Sequence, residues 1–87
     1  LTGLTKSMAL VVATRGVTVN CISPGFIDTA MTAKLTDDQK LKITESIPIG
    51  RMGTGDDVSA LVLFLVTNEA GYITGQNIHV NGGLFLT

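Results

Sequence analysis

Residues 17–29 join an apolar strand to a turn that is suited to hold a ligand. The segment Val17–Ile22 is almost continuously apolar, and Pro24 and Gly25 separate it from a polar turn that reaches Thr29. Proline ends a strand because it cannot donate a ladder hydrogen bond, and glycine lets a flat ligand approach the backbone. Because ligands bind at the carboxyl ends of parallel strands, the pattern predicts a binding loop.

The other residues that could carry chemistry are explained better by structure. His79 and Cys21 are the only histidine and cysteine, so they cannot form a standard zinc set. We predict a buried Cys21, a strand position for His79 at a subunit contact, and an Arg51 that pairs with an acidic residue. Asp28 is predicted to be solvated or to cap a helix. No catalytic residue and no metal ligand is assigned.

The loop must be positioned by a helix and a strand that precede it. Leu1, Leu4, Met8 and Val11 recur at helical spacing, and Arg15 and Gly16 form a C-terminal stop signal. The strand is predicted over Val17–Ser23. Its apolar residues do not alternate with polar ones, which predicts burial on both faces.

Two further helices and a second strand follow. Thr36 and Gln39 fit a capping box that begins a helix, and Pro48 ends it. Thr54 and Asp57 fit a second capping box, and the helix after it is apolar nearly all round through Val66, so we expect it to be buried on most sides. A short strand is predicted over Ile78–Val80. Strand–helix–strand order predicts parallel pairing and an α/β fold.

Composition excludes several classes of partner. Only 15% of the 87 residues are charged, 45% are hydrophobic and the net charge is -1; average proteins carry about 25% charged residues. There is no electrostatic case for nucleic acid, and the longest apolar run, Ala60–Val66, is far too short to span a membrane. The apolar composition and a helical pattern already in phase at Leu1 predict that more sequence precedes this chain.

Four blocks of sequence stand in a distinctive order along the chain. They are Leu4-Thr5-Lys6-Ser7-Met8-Ala9, Val17-Thr18-Val19-Asn20 with Ser23-Pro24-Gly25, Pro48-Ile49-Gly50-Arg51-Met52-Gly53, and Tyr72-Ile73-Thr74-Gly75-Gln76 with Val80-Asn81-Gly82-Gly83. In this order and spacing they resemble the short-chain dehydrogenase/reductase family. Within that family, the run from Pro24 to Met31 is most similar to bacterial 3-oxoacyl-acyl-carrier-protein reductases.

The resemblance implies the fold and activity of a longer protein. Residues 1–87 would be the C-terminal segment of one NAD(P)-binding domain with a Rossmann-type doubly wound parallel sheet, here helix, strand, lid, helix and strand. The cofactor fingerprint and the catalytic Ser, Tyr and Lys would lie upstream. Tyr72 is followed by Gln76 where the family's catalytic tyrosine needs lysine, so we expect it to pack near the last strand instead.

The implied chemistry is NADPH-dependent reduction of a 3-oxoacyl thioester in fatty acid biosynthesis. NADPH is expected in preference to NADH, with a substrate linked to acyl-carrier protein or to CoA. The resemblance also implies a homotetramer in the cytoplasm, with the first helix and the last strand as pairing surfaces, and no membrane or nucleic-acid partner.

The resemblance assigns five cofactor-binding residues. Pro24 and Gly25 set the exit of the loop, and Ile27 meets the nicotinamide carboxamide through its backbone N–H and C=O. Thr29 offers its hydroxyl to the carboxamide or a phosphate, and Met31 covers the ring or contacts substrate. The weakly amphipathic helix over Thr36–Ile47 is the candidate lid.

Two alternatives remain open from the sequence. One is another member of the superfamily that acts on a small alcohol, a sugar or a steroid, because the lid does not reveal the substrate. The other is a truncated, non-catalytic fragment or assembly module, because the catalytic Tyr and Lys are absent from these residues.

Overall fold

Helices and strands follow one another in the predicted order. The computed structural model describes residues 1–85. The elements are α1 (Thr2–Val12), β1 (Cys21–Pro24), α2 (Asp37–Ser46), α3 (Gly55–Leu65) and β2 (Asn77–Val80). Among these described residues, no helix is long and apolar enough to cross a membrane.

The first helix ends where its stop signal lies. After α1, a 3-10 turn runs over Ala13–Arg15, and Gly16 follows it with φ 71°. The N–H of Gly16 donates to the C=O of Ala13 at 3.1 Å. A left-handed residue at this place favours glycine because glycine has no Cβ to clash, which confirms the predicted stop.

Strand β1 begins at Cys21 rather than at Val17, because the backbone pairing before it is irregular. The C=O of Val19 accepts from the N–H of Gly75 at 2.8 Å, whereas the N–H of Cys21 donates to the next residue along, Gln76. The side-chain amide of Asn20 bridges this offset: its Oδ1 accepts from the N–H of Gln76 at 3.1 Å, and its Nδ2 donates to the C=O of Ile73 at 3.1 Å. The predictions that the strand is buried on both faces and that Cys21 is buried are wrong, since Cys21 is half-buried.

The two strands pair in parallel register. The N–H of Cys21 donates to the C=O of Gln76 at 2.8 Å, and the N–H of Gly25 donates to the C=O of Val80 at 2.9 Å. Residue numbers rise together along both strands, which confirms the predicted parallel pairing.

Both capping boxes form. Thr36 Oγ1 accepts from the N–H of Gln39 at 3.2 Å, and Gln39 Oε1 accepts from the N–H of Thr36 at 2.9 Å. Before α3, the N–H of Thr54 donates to Asp57 Oδ2 at 2.8 Å and the N–H of Asp57 donates to Thr54 Oγ1 at 3.3 Å. Each reciprocal pair satisfies N–H groups that a helix start leaves without partners.

The chain divides into two compact units, each with a small core. The first comprises residues 1–23 and 60–78, and its buried residues are Thr5, Ala9 and Ala70. The second comprises residues 24–59 and, among the described residues, 79–85, and Ile47 is its buried residue.

The apolar third helix is not covered in the part of the chain that the structure describes. Leu63 is 66% exposed and Phe64 is 44% exposed, so the prediction that this helix is buried on most sides is wrong for these residues. Tyr72 is fully exposed, and the prediction that it packs near the last strand is wrong too. Apolar periodicity shows which face prefers burial, but burial itself requires a neighbouring element.

Candidate functional site

The exit of the loop is set by a close backbone contact. Pro24 is the last residue of β1, and the N–H of Gly25 donates to the C=O of Val80. A Cβ on Gly25 would lie 2.7 Å from Asn81 Cβ and 2.9 Å from Asn81 Cα. Asn81 therefore leaves room only for glycine at position 25, whether or not a ligand is bound. We call residues 24–31 the cofactor loop.

Ile27 presents two backbone groups together on one side. It forms an isolated parallel bridge with Gly53, in which the N–H of Gly53 donates to the C=O of Phe26 at 2.9 Å and the N–H of Asp28 donates to the C=O of Gly53 at 2.8 Å. In such a bridge the residues on either side of Ile27, which are Phe26 and Asp28, make the hydrogen bonds to Gly53. The N–H and C=O of Ile27 therefore point away from Gly53. Within residues 1–85 neither group has a hydrogen-bond partner.

This pair of groups matches a primary carboxamide. An N–H can donate to the carboxamide oxygen, and a C=O can accept from the carboxamide NH2. Both groups belong to one residue and point the same way, which suits a planar ligand with donor and acceptor side by side. The arrangement therefore fits the role that the resemblance implies for Ile27.

A hydroxyl-centred turn follows Ile27. Thr32 Oγ1 accepts from the N–H of Thr29 at 2.8 Å, and it lies 2.7 Å from Asp28 Oδ1 and 2.8 Å from the C=O of Thr29. A hydroxyl has one proton, so it donates to one of these two oxygens at a time. Asp28 is exposed, as predicted for a solvated residue, and its carboxylate is one of the two acceptors open to the Thr32 hydroxyl. The turn uses the backbone of Thr29 and leaves its side-chain hydroxyl without a partner among the described residues.

Met31 stands clear of the rest of its unit. Its side chain is 81% exposed, and its C=O accepts from the N–H of Lys34 at 3.3 Å. It is therefore available to cover a ligand, and nothing within residues 1–85 holds it in one orientation.

An ion pair fixes the segment that carries Gly53. Arg51 Nη1 donates to Asp57 Oδ2 at 2.8 Å and to the C=O of Met52 at 3.1 Å, and Nη2 donates to Asp57 Oδ1 at 3.3 Å. The hydrogen bond from Arg51 and, after it, the hydrogen bond from the backbone N–H of Thr54 lower the pKa of Asp57 to about 2. The hydrogen bond between Arg51 and Asp57 also raises the pKa of Arg51. The predicted acidic partner of Arg51 is Asp57.

A cleft of about 170 Å³ opens beside this segment, lined by Phe26, Ile49, Arg51, Asn81 and their neighbours. None of the five residues predicted to bind a cofactor lines it. The candidate lid, Thr36–Ile47, ends at the buried Ile47, and a Cβ on Gly82 would lie 2.8 Å from Ile47 Cγ2. Whether the lid closes over a ligand stays a prediction.

Sequence reasoning missed two residues that shape the loop. Gly53 is not among the predicted site residues, yet its N–H and C=O bond to Phe26 and Asp28. Asn81 packs on Gly25, while its Oδ1 accepts from the N–H of Gly83 and its Nδ2 donates to the C=O of Phe85. Both residues stand in the blocks that carry the family resemblance, and that membership is the signal that could have found them.

Strand, loop, helix and parallel strand, with open backbone groups beyond the first strand, define part of a Rossmann-type α/β protein. The family model described as Enoyl-(Acyl carrier protein) reductase matches residues 1–85. The chain belongs to the short-chain dehydrogenase/reductase family.

Individual relatives agree with this assignment. Nodulation protein G of Rhizobium meliloti is 56% identical over 82 residues, which cover 94% of this chain and 34% of that protein. The 3-oxoacyl-(acyl-carrier-protein) reductase FabG of Haemophilus influenzae is 53% identical over 85 residues, which cover 98% of this chain and 35% of the relative. The chain thus spans about a third of the length of these relatives.

A solved structure shows the same fold. The crystal structure of YwfH, described as an NADPH dependent reductase involved in bacilysin biosynthesis, superposes with a TM-score of 0.90 at 34% identity. The match covers 100% of this chain and 37% of YwfH. The predicted Rossmann-type architecture is confirmed.

Proposed function

We propose that residues 1–87 form the C-terminal segment of an NADPH-dependent reductase of 3-oxoacyl thioesters. The observation that carries the proposal is that the N–H and C=O of Ile27 have no hydrogen-bond partner among residues 1–85 and are held on one side of the loop by the bridge to Gly53. The similarity to FabG and to YwfH supports the reductase class and the preference for NADPH over NADH.

The segment binds and orients; it does not carry the catalytic acid. Pro24 and Gly25 direct the loop away from β1, the backbone of Ile27 receives the carboxamide, and the hydroxyl of Thr29 adds a further hydrogen bond to the carboxamide or a phosphate. NADPH, when bound, supplies the hydride for the reaction. A tyrosine outside these residues protonates the carbonyl oxygen in this proposal.

In this proposal, Met31 and the candidate lid control access to the site. The exposed thioether of Met31 is flexible enough to cover a ring or an acyl chain. The helix over Thr36–Ile47 follows directly after the loop and closes over the acyl chain, which keeps water away from the reacting carbonyl.

Loss of the Thr29 hydroxyl tests the cofactor role in the complete protein that carries this chain. Thr29→Val keeps the size of the side chain and removes one hydrogen bond, so we expect KM for NADPH to rise about 2–10-fold. The matched control is Thr14→Val, which changes an exposed threonine outside the loop in the same way. Equal KM values for the two variants would refute the assignment of Thr29.

The acyl substrate is tested separately. We expect NADPH-dependent turnover of an acetoacetyl thioester, carried on acyl-carrier protein or on CoA, to exceed that of simple ketones. The second candidate is a reductase of another carbonyl compound, and it is favoured by the TM-score of 0.90 to YwfH, whose role is in bacilysin biosynthesis. Faster turnover of a simple ketone would support this second candidate.

The extent of the protein and its assembly have direct tests. An intact mass near 9.1 kDa would support a non-catalytic fragment or assembly module, whereas a mass about threefold larger fits one complete domain of this kind. We propose a cytoplasmic homotetramer that pairs through α1 and β2. Size-exclusion chromatography of Leu4→Ala or Val80→Ala, each expected to yield smaller species, tests that assembly.

A further inference from the structure

The orientation of the Ile27 backbone depends on Gly53, which lies far from it in sequence. Both hydrogen bonds of the bridge use Gly53: its N–H reaches Phe26 and its C=O receives the N–H of Asp28. If the peptide groups on either side of Gly53 rotated, these hydrogen bonds would break. The N–H and C=O of Ile27 would then no longer be held on one side of the loop. The orientation of the Ile27 N–H and C=O in the cofactor loop therefore depends on the backbone conformation of Gly53.

Two charged side chains fix Gly53 from both of its neighbours. On one side, Arg51 Nη1 donates to the C=O of Met52 at 3.1 Å. On the other side, Asp57 Oδ2 accepts from the N–H of Thr54 at 2.8 Å. Arg51 and Asp57 are themselves joined by two hydrogen bonds of 2.8 and 3.3 Å. We call Arg51 and Asp57 the charged clamp.

The exposure of the clamp favours a role in orienting the backbone around Gly53 over a role in stabilising the fold. The side chains of Arg51 and Asp57 are 58% and 34% exposed, and ion pairs in such positions contribute little to folding. A planar guanidinium with a fork of donors nevertheless fixes direction well, because it bonds to a carboxylate through two nitrogens and still has a donor for the Met52 carbonyl.

We propose that Arg51 and Asp57 are positioning residues, which hold Gly53 so that the bridge aims the backbone N–H and C=O of Ile27 at the nicotinamide carboxamide. Neither residue touches the cofactor in this proposal. The inference rests on the proposed function, because it needs the nicotinamide end of a dinucleotide at the cofactor loop. It differs from a purely structural role in one respect: changes in the clamp should alter the affinity only for ligands that contain the nicotinamide.

The test compares two ligands on two neighbouring variants of the complete protein. Asp57→Asn removes the charge that holds Arg51, and Asp56→Asn makes the same change one residue away in the first turn of α3. The ligands are NADP+ and 2′-phospho-ADP-ribose, which lacks the nicotinamide. Dissociation constants are measured by isothermal titration calorimetry, with circular dichroism to verify that each variant is folded.

The expected result is a split between the ligands. Asp57→Asn should weaken NADP+ binding about 5–10-fold, the size expected for one or two imperfect hydrogen bonds, and should leave 2′-phospho-ADP-ribose unchanged. Asp56→Asn should alter neither. Arg51→Lys keeps the charge but loses the fork, so it should show the same split to a smaller degree, and it provides the test if Asp57→Asn does not fold.

Two results would overturn the positioning role. Equal weakening of both ligands would show a general structural disturbance, and unchanged NADP+ affinity in both Asp57→Asn and Arg51→Lys would show that the clamp does not act on the loop. If the unaltered protein bound 2′-phospho-ADP-ribose and NADP+ equally well, the nicotinamide would have no site here, and the proposed function of the loop would fail first.

Discussion

The contact between Gly25 and Asn81 makes one substitution especially informative. In Gly25→Ala the new Cβ would lie 2.7 Å from Asn81 Cβ and 2.9 Å from Asn81 Cα. Gly25 is not among the glycines with positive φ, so alanine suits the backbone conformation there. Any loss of stability must therefore come from the steric contact, and the backbone of Asn81 cannot rotate away as a flexible side chain would.

The size of the effect follows from the overlap. Ordinary contacts begin near 3.4 Å, so the loop or the segment at Asn81 must move by about 0.7 Å. Overpacking of this kind costs about 1–3 kcal/mol in the free energy of unfolding. Because Ile27 is two residues further along, the same shift should move its N–H and C=O and weaken NADP+ binding as well.

Denaturant unfolding of the complete protein measures the effect, with two comparison variants. Gly55→Ala is the matched control, because a Cβ there would meet nothing within 4 Å and alanine suits a helix start, so its change should stay within about 1 kcal/mol. Asn81→Gly removes the nearer of the two clashing atoms. We therefore expect Gly25→Ala with Asn81→Gly to be less destabilised than the two single variants added together. If Gly25→Ala were as stable as Gly55→Ala, or if the double variant showed no such coupling, the steric reasoning would be refuted.

Three further predictions concern α2 and the charged clamp. Thr36→Ala should lower the free energy of unfolding by about 1 kcal/mol because the N-cap hydrogen bond to Gln39 is lost, whereas Thr36→Ser, which keeps the hydroxyl, should change it little. Hydrogen bonds from Arg51 and from the backbone N–H of Thr54 lower the pKa of Asp57 from 3.8 to about 2, so its carboxyl should titrate near pH 2 in an NMR titration. The small contribution of this exposed pair to stability is complete above about pH 4 and is lost as pH falls through 2, and a midpoint near 3.8 would contradict the ion pair. Hydrogen exchange of the lid, Thr36–Ile47, should slow when NADPH binds while that of α1 does not, and equal exchange with and without NADPH would argue against a lid.

Signals contained in a few neighbouring residues predicted local structure well. Gly16 stops the first helix, and Thr36 with Gln39 forms the capping box that its spacing predicts. In each case the donor and the acceptor lie within one turn of helix, so local geometry decides the outcome. Pro48 likewise ends α2, because the residue before it, Ile47, is extended.

Features that join distant parts of the chain were not predictable in the same way. The amide of Asn20 pairs with Ile73, which is 53 positions away, and the irregular backbone pairing beside it places the start of β1 at Cys21 rather than at Val17. The burial of α3 was predicted wrongly for a related reason. Its apolar pattern reports a preference of the side chains, but whether a face is buried depends on elements that the pattern does not contain.

The candidate loop shows which residue types carry information about such a site. In the proposed function Ile27 acts through its backbone, so the identity of its side chain says little about ligand binding. The geometry depends instead on Gly25, which lets Asn81 approach, and on Gly53, which forms the bridge. A loop of this kind is therefore encoded by two glycines and by the pair Arg51 and Asp57, and the sequence could reveal the loop only through its Pro-Gly exit and its resemblance to known proteins.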